Sequence, residues 1–433
     1  MGNSYSQSNI PDSLKSSPYF TFLAKLFQDI STVKDGSQIG TISGFKEIFQ
    51  PDENVTIIEL LFKYFNAIAG NVPCQELDKP SFIIGFDKLL KLEYGSQDMV
   101  TFYVEMLSDG KEKLDCQDIA TILSTTYSLQ HKDKVLHAPH FQAFAKHLLN
   151  QGKNNVNTDK FVNGVFQLWP RIFIPIHCWI LSSLSKQSSS EIALPKQRCT
   201  RIQLLSPSSS DSNEILDSLE LWLLSISIPS LFLKINQKTD KHEESFSSEW
   251  RRLYDSNEHG LSHNRFKHHC FSYREPTVMA IFLENNVKLV LAMDTEWRES
   301  SRCFGSSDTR LYQVNPEFKI LADKNIVLFN EKNRGLPVGL ILGNNPSKPQ
   351  VSLLDGLTTV SLGYLGGQES SVQRIQVFGC AGLRAETDQK QQQNWEKRQA
   401  EQLQKVKLPG AWDENPDKAI LEMAGITTEH ARR

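Results

Sequence analysis

The spacing of apolar residues changes period once along the chain, and that change restricts what it can fold into. Up to about residue 184 the apolar positions recur at helical spacing. Phe20, Leu23, Phe27 and Ile30 lie on one stripe, and Ile58, Leu61, Phe62 and Phe65 on another. Phe82–Leu92, Met99–Leu107, Ile119–Leu129 and Phe141–Leu149 continue the series, with Gly, Asp, Asn and Pro between them. A longer apolar stretch, 158–184, reads as one helical segment starting at Thr158-Asp159. Two serine-rich stretches, 185–190 and 206–212, then read as linker. After one more helical pattern, Ile215–Ile226, short β-rich runs take over. They include Ser230–Ile235, Thr277–Leu283, Lys288–Asp294, Arg310–Val314, Ile326–Phe329, Gly339–Leu342, Val351–Leu354, Val360–Leu362 and Ile375–Gly379. Turn signals such as Glu284-Asn285-Asn286 and Leu365-Gly366-Gly367 punctuate them, and Ser262 reads as the N-cap of a helix reaching Cys270. An all-α first half followed by an antiparallel two-sheet second half defines an α+β fold.

Composition narrows the function classes. The 433 residues carry a net charge of −3, so no general positive field is present to hold nucleic acid, and none is expected as a partner. Seven cysteines are dispersed without a C-x-x-C pair, the usage of a chain with reduced thiols. The longest apolar stretches, near Ile172–Leu184 and Leu221–Leu233, run for about 13 residues, against the ~20 needed to span a bilayer. No secretory leader opens the chain. It begins Met1-Gly2-Asn3-Ser4-Tyr5-Ser6, which fits the acceptor pattern for N-myristoylation at Gly2. One myristoyl chain binds membrane only marginally, about 10⁴ M⁻¹. The first lysine is Lys15 and the first cysteine Cys74, so neither a polybasic patch nor a palmitoyl group flanks the lipid. The second attachment is therefore expected to be a membrane-resident protein.

Enzyme signatures are absent from the sequence. There is no G-x-S-x-G, H-E-x-x-H, Walker A loop, G-x-G-x-x-G or kinase set, so no catalytic residue and no cofactor is expected. The cluster His259, His263, His268, His269 and Cys270 does not read as zinc, because adjacent His268 and His269 point about 100° apart on a helix. A thiol-based protection from oxidants is the alternative enzyme reading, with Cys303 after Arg302 as its best nucleophile. A calcium sensor is a further alternative, because helix–loop–helix pairs raise the EF-hand question. In Ser108–Asp115, however, the carboxylates are mis-spaced and two lysines intrude, while 154–159 offers oxygens without the glycine or the closing Glu. An EF-hand-like scaffold without metal is the expectation.

The second half carries Trp250-Arg-Arg-Leu-Tyr-Asp-Ser-Asn-Glu-His-Gly-Leu-Ser262, Glu275-Pro-Thr-Val-Met-Ala-Ile281, Glu296-Trp297, Phe304-Gly305 with Leu311-Tyr312, Leu336-Pro-Val-Gly-Leu-Ile-Leu-Gly343 and Ile375-Gln-Val-Phe-Gly379. In that order these motifs resemble the TLDc domain, whose fold is a β-sandwich flanked by helices. The resemblance marks Trp297, Gly305, Gly339, Gly343, Phe378 and Gly379, with core-filling and turn roles. Two departures are Val290-Leu291-Ala292, where the family has Gly-Gly, and Gln376, where it has Glu. The organisation expected is an N-terminus over 1–17, an EF-hand-like helical domain over 18–184, a linker over 185–211, the TLDc domain over 212–381 and a helical tail over 382–433.

With its Gly2 pattern, helical domain and terminal Asn415-Pro-Asp-Lys-Ala-Ile-Leu-Glu-Met-Ala-Gly425, the chain is most similar to the myristoylated, mTOR-associated lysosomal branch of that family. The resemblance implies a non-enzymatic regulator on the cytoplasmic face of the lysosomal or vacuolar membrane. It would bind the V-type proton ATPase and support TOR signalling. The tail read by itself has a thin apolar stripe, too narrow for a large core, that suits a solvated helix or one that docks on a partner. By resemblance, Trp395, Arg398, Leu403, Val406, Ile420, Leu421 and Met423 are its contact residues.

Overall fold

The computed structural model describes residues 11–34, 36–49, 54–68, 70, 76–131, 141, 142, 145, 149, 155–187, 200–205, 214–234, 246–407, 420, 423 and 424. Gly2 and Leu421 lie outside these residues, as do the side chains of Leu403 and Val406.

The first half is built from helix–strand–helix units. Its helices are α1 (Phe20–Ile30), α2 (Ile42–Ile48), α3 (Val55–Ile68), α4 (Lys79–Leu90), α5 (Gln97–Leu107), α6 (Cys116–Gln130), α7 (Thr158–Leu168) and α8 (Ile174–Gln187). The short strands between helices pair across units, Gly40 with Leu77 and Leu114 with Val156, both antiparallel. Each of these strands ends in, or is followed directly by, a residue whose side chain caps the next helix. Thr41 accepts from the Gly44 amide, Asp78 from Ser81, Asp115 from Asp118 and Asn157 from Asp159. A cap of this kind stabilises a helix start by about 1 kcal/mol, so four helix starts are set at the same point of four repeats. The Phe45 ring sits at the centre of the first pair, edge-on to Phe62, Phe65 and Phe82 and stacked on Phe86. Helices α3 and α4 approach closely because position 85 is glycine: a Cβ there would lie 2.3 Å from the Phe65 ring.

The segment 158–184 is two helices, not one. Pro170 has no amide to donate, and Trp169 before it leaves the helical region (φ −136°, ψ 62°), so α7 stops at Leu168 and α8 starts at Ile174. The break turns Arg171 toward α9 (Ser218–Ser227). Its guanidinium donates to Ser225 O at 2.9 and 3.2 Å and to Ile228 O, taking up carbonyls that the end of α9 leaves free. Burial pulls its pKa down to about 10, so it still caps that end as a cation at neutral pH.

The strands of the second half are β1 (Thr200–Leu205), β2 (Phe246–Asp255), β3 (Thr277–Leu283), β4 (Lys288–Met293), β5 (Arg310–Asn315), β6 (Lys319–Asp323), β7 (Val327–Asn330), β8 (Gly339–Leu342), β9 (Val351–Leu354), β10 (Thr359–Leu362) and β11 (Gln368–Gly379). Their order is β6-β5-β4-β3-β11-β10-β9-β8-β7, with β2 also on β11 and β1 on β2. The long β11 belongs to two layers: Gln368–Ser371 pair with β10, and Val372–Gly379 run beside β3 and, from Gln376, β2. The sheet thereby folds over on itself as a sandwich. Met279, Ile281, Leu291, Phe329, Leu342, Leu353, Val360 and Val377 fill its interior.

The outer face of β3, β4 and β5 is buried too. Val278, Ala280, Val290, Ala292 and Tyr312 belong to the same apolar core as the first-half helices, and Trp169 packs on Phe318 across that junction. Strands covered on both faces lose the apolar–polar alternation, which is why β3 and β4 are apolar runs. Besides the break at 169–173, the structure differs from the sequence reading in three further places. The segment 185–211 contains β1, paired in parallel with β2. Neither β2 nor β6 stood out as an apolar run. The run Ser230–Ile235 begins instead with a 3-10 turn, Ser230–Phe232, after Pro229 (φ −54°).

Candidate functional site

The motif residues of the second half are placed by packing and do not converge on one surface. Trp297 is buried, donates from Nε1 to Thr277 Oγ1 at 2.8 Å and meets the Phe266 ring edge-on. Gly305 (φ +106°) lies in a loop gathered by Asp294, whose carboxylate accepts from the Ser306 and Asp308 amides and the Ser306 and Thr309 hydroxyls. Gly339 and Gly343 flank the buried run of β8, Phe378 faces the helical half, and Gly379 gives room to the Tyr273 ring.

What the tertiary structure brings together instead is a buried charge cluster that the sequence did not reveal. Asp255, fully buried, accepts from Arg374 at 3.0 and 2.6 Å, Arg252 at 3.1 Å, Gln376 at 2.9 Å and the Asn257 amide at 3.0 Å. Gln376 passes the chain of bonds on, its Oε1 accepting from the Ile215 amide at 3.0 Å. A Glu at 376 would set two carboxylates against each other, whereas the Gln amide donates. Burial by itself would raise the Asp255 carboxyl, but Arg374 and Gln376 outweigh it and hold it below its ordinary 3.8.

Next to this cluster the tail helix α11 (Gly382–Lys407) docks. It docks by polar groups: Gln389 donates to His269 O at 2.7 Å, and Gln393 to His268 O and Ser272 Oγ, each at 2.9 Å. Those carbonyls end α10 (His263–Cys270) and lack partners within it. Arg251 adds an ion pair with Glu386 at 3.4 Å, and the Ala381 amide donates to Tyr273 Oη. Beyond this contact residues 394–402 are exposed apart from Gln399. Trp395 is 58% exposed, and Arg398 is exposed as well. Further on, Ile420 and Met423 are also exposed. Replacing both Gln389 and Gln393 by Ala removes three amide hydrogen bonds. We expect trypsin cleavage after Arg384 and Lys390 to rise about tenfold or more while the sandwich melts within about 2 °C of wild type; unchanged cleavage would show that other contacts hold the helix.

The Lys111 ammonium bonds Asp118 at 2.6 Å, where the closing carboxylate of a calcium loop would sit, and Asp118 also completes the capping box of α6. Burial pushes up the thiols of Cys178 (to about 12), Cys270, Cys303 and Cys380, which disfavours the thiolate. His259 accepts from the Asp255 amide at Nδ1, stacks on the Tyr254 ring and has its ring centre 3.8 Å from that of His269, tilted by 30°. Among the described residues no three His, Cys, Asp or Glu side chains are grouped to hold a metal, and no helix is long and apolar enough to cross a membrane.

This is an α+β protein with a curled sandwich, a helical half packed on the sandwich's outer face and a docked tail helix. Residues 208–371 match the TLDc domain, so the chain carries a domain of that family. It is similar to fungal proteins named Restriction of telomere capping protein 5. The one from Pyrenophora tritici-repentis is 22% identical over 41% of this chain and 41% of its own length. That from Meyerozyma guilliermondii is 24% identical over 55% and 44%, and that from Kluyveromyces lactis 27% over 31% and 29%. The chain thus spans between about three tenths and just over two fifths of the length of these relatives.

Proposed function

We propose that the protein is a non-enzymatic, lipid-anchored regulator on the cytoplasmic face of the lysosomal or vacuolar membrane, where it binds the V-type proton ATPase and supports TOR signalling. The observation that carries this reading is the division of α11. Its first turns are tied to the sandwich by Gln389 and Gln393, while its later turns present Trp395 and Arg398 to solvent. Trp and Arg are the side chains that most often anchor a protein interface. The Gly2 acceptor pattern, with no second lipid signal beside it, supplies the need for a protein partner at the membrane. The fungal relatives' name speaks of telomere capping; a chain of net charge −3 offers DNA no general attraction. A thiol-based or calcium-responsive role has less support, since the thiols are pushed up and Lys111 already occupies Asp118.

Affinity purification from detergent-solubilised membranes tests the proposal. Proton-pump subunits should co-purify with wild type and fall about tenfold with Trp395→Ala combined with Arg398→Glu. Recovery of none with wild type refutes the partner. Gly2→Ala should move the protein into the soluble fraction, more so when the tail after Ala381 is removed; unchanged membrane fractionation of that double variant refutes attachment by lipid and tail together.

A further inference from the structure

Residues 11–19 run along the outside of the helical half, where a four-residue helix, Asp12–Lys15, touches α4. The Ser17 hydroxyl donates to the carboxylate of Asp87 on α4. Asp87 is a deep group, its side chain 6% exposed, and its other oxygen bonds Lys91 Nζ at 2.6 Å. Ser17 itself is only half-buried, and it opens α1: its carbonyl accepts from the Phe20 amide at 3.1 Å. The residue after it is Pro18. Ser-Pro occurs twice in the chain, at Ser17-Pro18 and at Ser206-Pro207, the latter outside the described residues, and Thr-Pro does not occur.

We propose that Ser17 is a phosphorylation site for a proline-directed protein kinase, and that the phosphate unlatches residues 11–19 from α4. In the chemical step Ser17 Oγ bonds to the γ-phosphorus of ATP, the bond from that phosphorus to the bridging oxygen breaks, ADP leaves, and the hydroxyl proton passes to the kinase's carboxylate base. The product reverses the chemistry of the latch. A serine hydroxyl donates to Asp87; a phosphoserine at pH 7 carries about −1.5 to −2 charges and has little left to donate. Re-docking would press that charge onto a carboxylate shielded from water. Lys91 is the cation bonded to Asp87, and one ammonium cannot neutralise both anions. Neighbouring Lys88 lies over the Phe102 ring, 5.8 Å from its centre. At a helix start without Asp87 a phosphate would be favourable, so the carboxylate decides the sign. A kinase takes its substrate extended, so it captures the arm in an open state, and the phosphate then keeps that state from closing. This holds whatever membrane or partner the protein uses.

The test uses the full chain carrying Ser206→Ala, a kinase of the cyclin-dependent or mitogen-activated class and ATP, with peptide mapping by mass spectrometry and amide hydrogen exchange. One phosphate should appear on Ser17, and exchange of the amides of residues 14–20 should rise about tenfold or more. Adding Ser17→Ala should abolish incorporation. Asp87→Asn should still be phosphorylated, with exchange rising less than about threefold above its own unphosphorylated level. No phosphate on Ser17, phosphate with unchanged exchange, or a full rise in Asp87→Asn would each overturn the proposal.

Discussion

Asp255→Ala is expected to destabilise the fold by about 3–5 kcal/mol, measured by urea unfolding. The carboxylate is fully buried and takes bonds from Arg374, Arg252, Gln376 and the Asn257 amide, so its removal takes the shared counter-charge from Arg374 and from Arg252, which keeps Glu258 and Glu214 beside it. Breaking a buried charge set by deleting one member costs far more than the net worth of the pair, because the desolvated partner remains. Asp255→Asn keeps the shape and some acceptors and should lose less. The same site sets a pH dependence. Its folded pKa is below the ordinary 3.8, so its contribution is complete above that value and fades as the pH falls through the lower folded one. The alanine variant should lack that acid-side slope; a loss under about 1 kcal/mol would mean that the cluster is solvated.

Gly339→Ala should be at least as damaging, about 3 kcal/mol or more, with most of the protein insoluble on expression. Gly339 has φ +115°, which L side chains rarely adopt. A Cβ there would lie 2.3 Å from the carbonyl oxygen of Leu353, part of the β8–β9 ladder and unable to swing aside. Gly335→Ala in the preceding loop meets only the Asn333 side chain at 3.4 Å and should cost under about 1 kcal/mol. If thermal unfolding showed the two variants alike, close backbone approach at 339 would not be what requires glycine there.

The helices and inner strands were legible because each carries its own periodicity: Phe20, Leu23, Phe27 and Ile30 form a stripe wherever α1 is put, and β3 reads as a buried run. Caps announced themselves less evenly. Asp115 and Asn157 cap helices α6 and α7, whereas the sequence points to Thr158-Asp159 as the cap of the second. Strand β1 was hidden because an edge strand in a serine-rich stretch needs only Ile202 and Leu204 against the core. The docking of α11 left no apolar signal at all, since glutamine amides make it.

Local patterning alone determined that helices precede strands, where most of them lie, which chemistries lack their motifs, and that Gly2 fits a lipid-acceptor pattern. Only the tertiary structure decided that helices cover the outer face of β3 and β4, that Arg171 reaches the end of α9, and that Arg252, Asp255, Arg374 and Gln376 share one buried cluster. Periodicity is a property of neighbours a few residues apart. The Asp255 charge is buried because, besides Arg252 close by in sequence, Arg374 and Gln376 arrive from more than a hundred positions away to replace the water it loses.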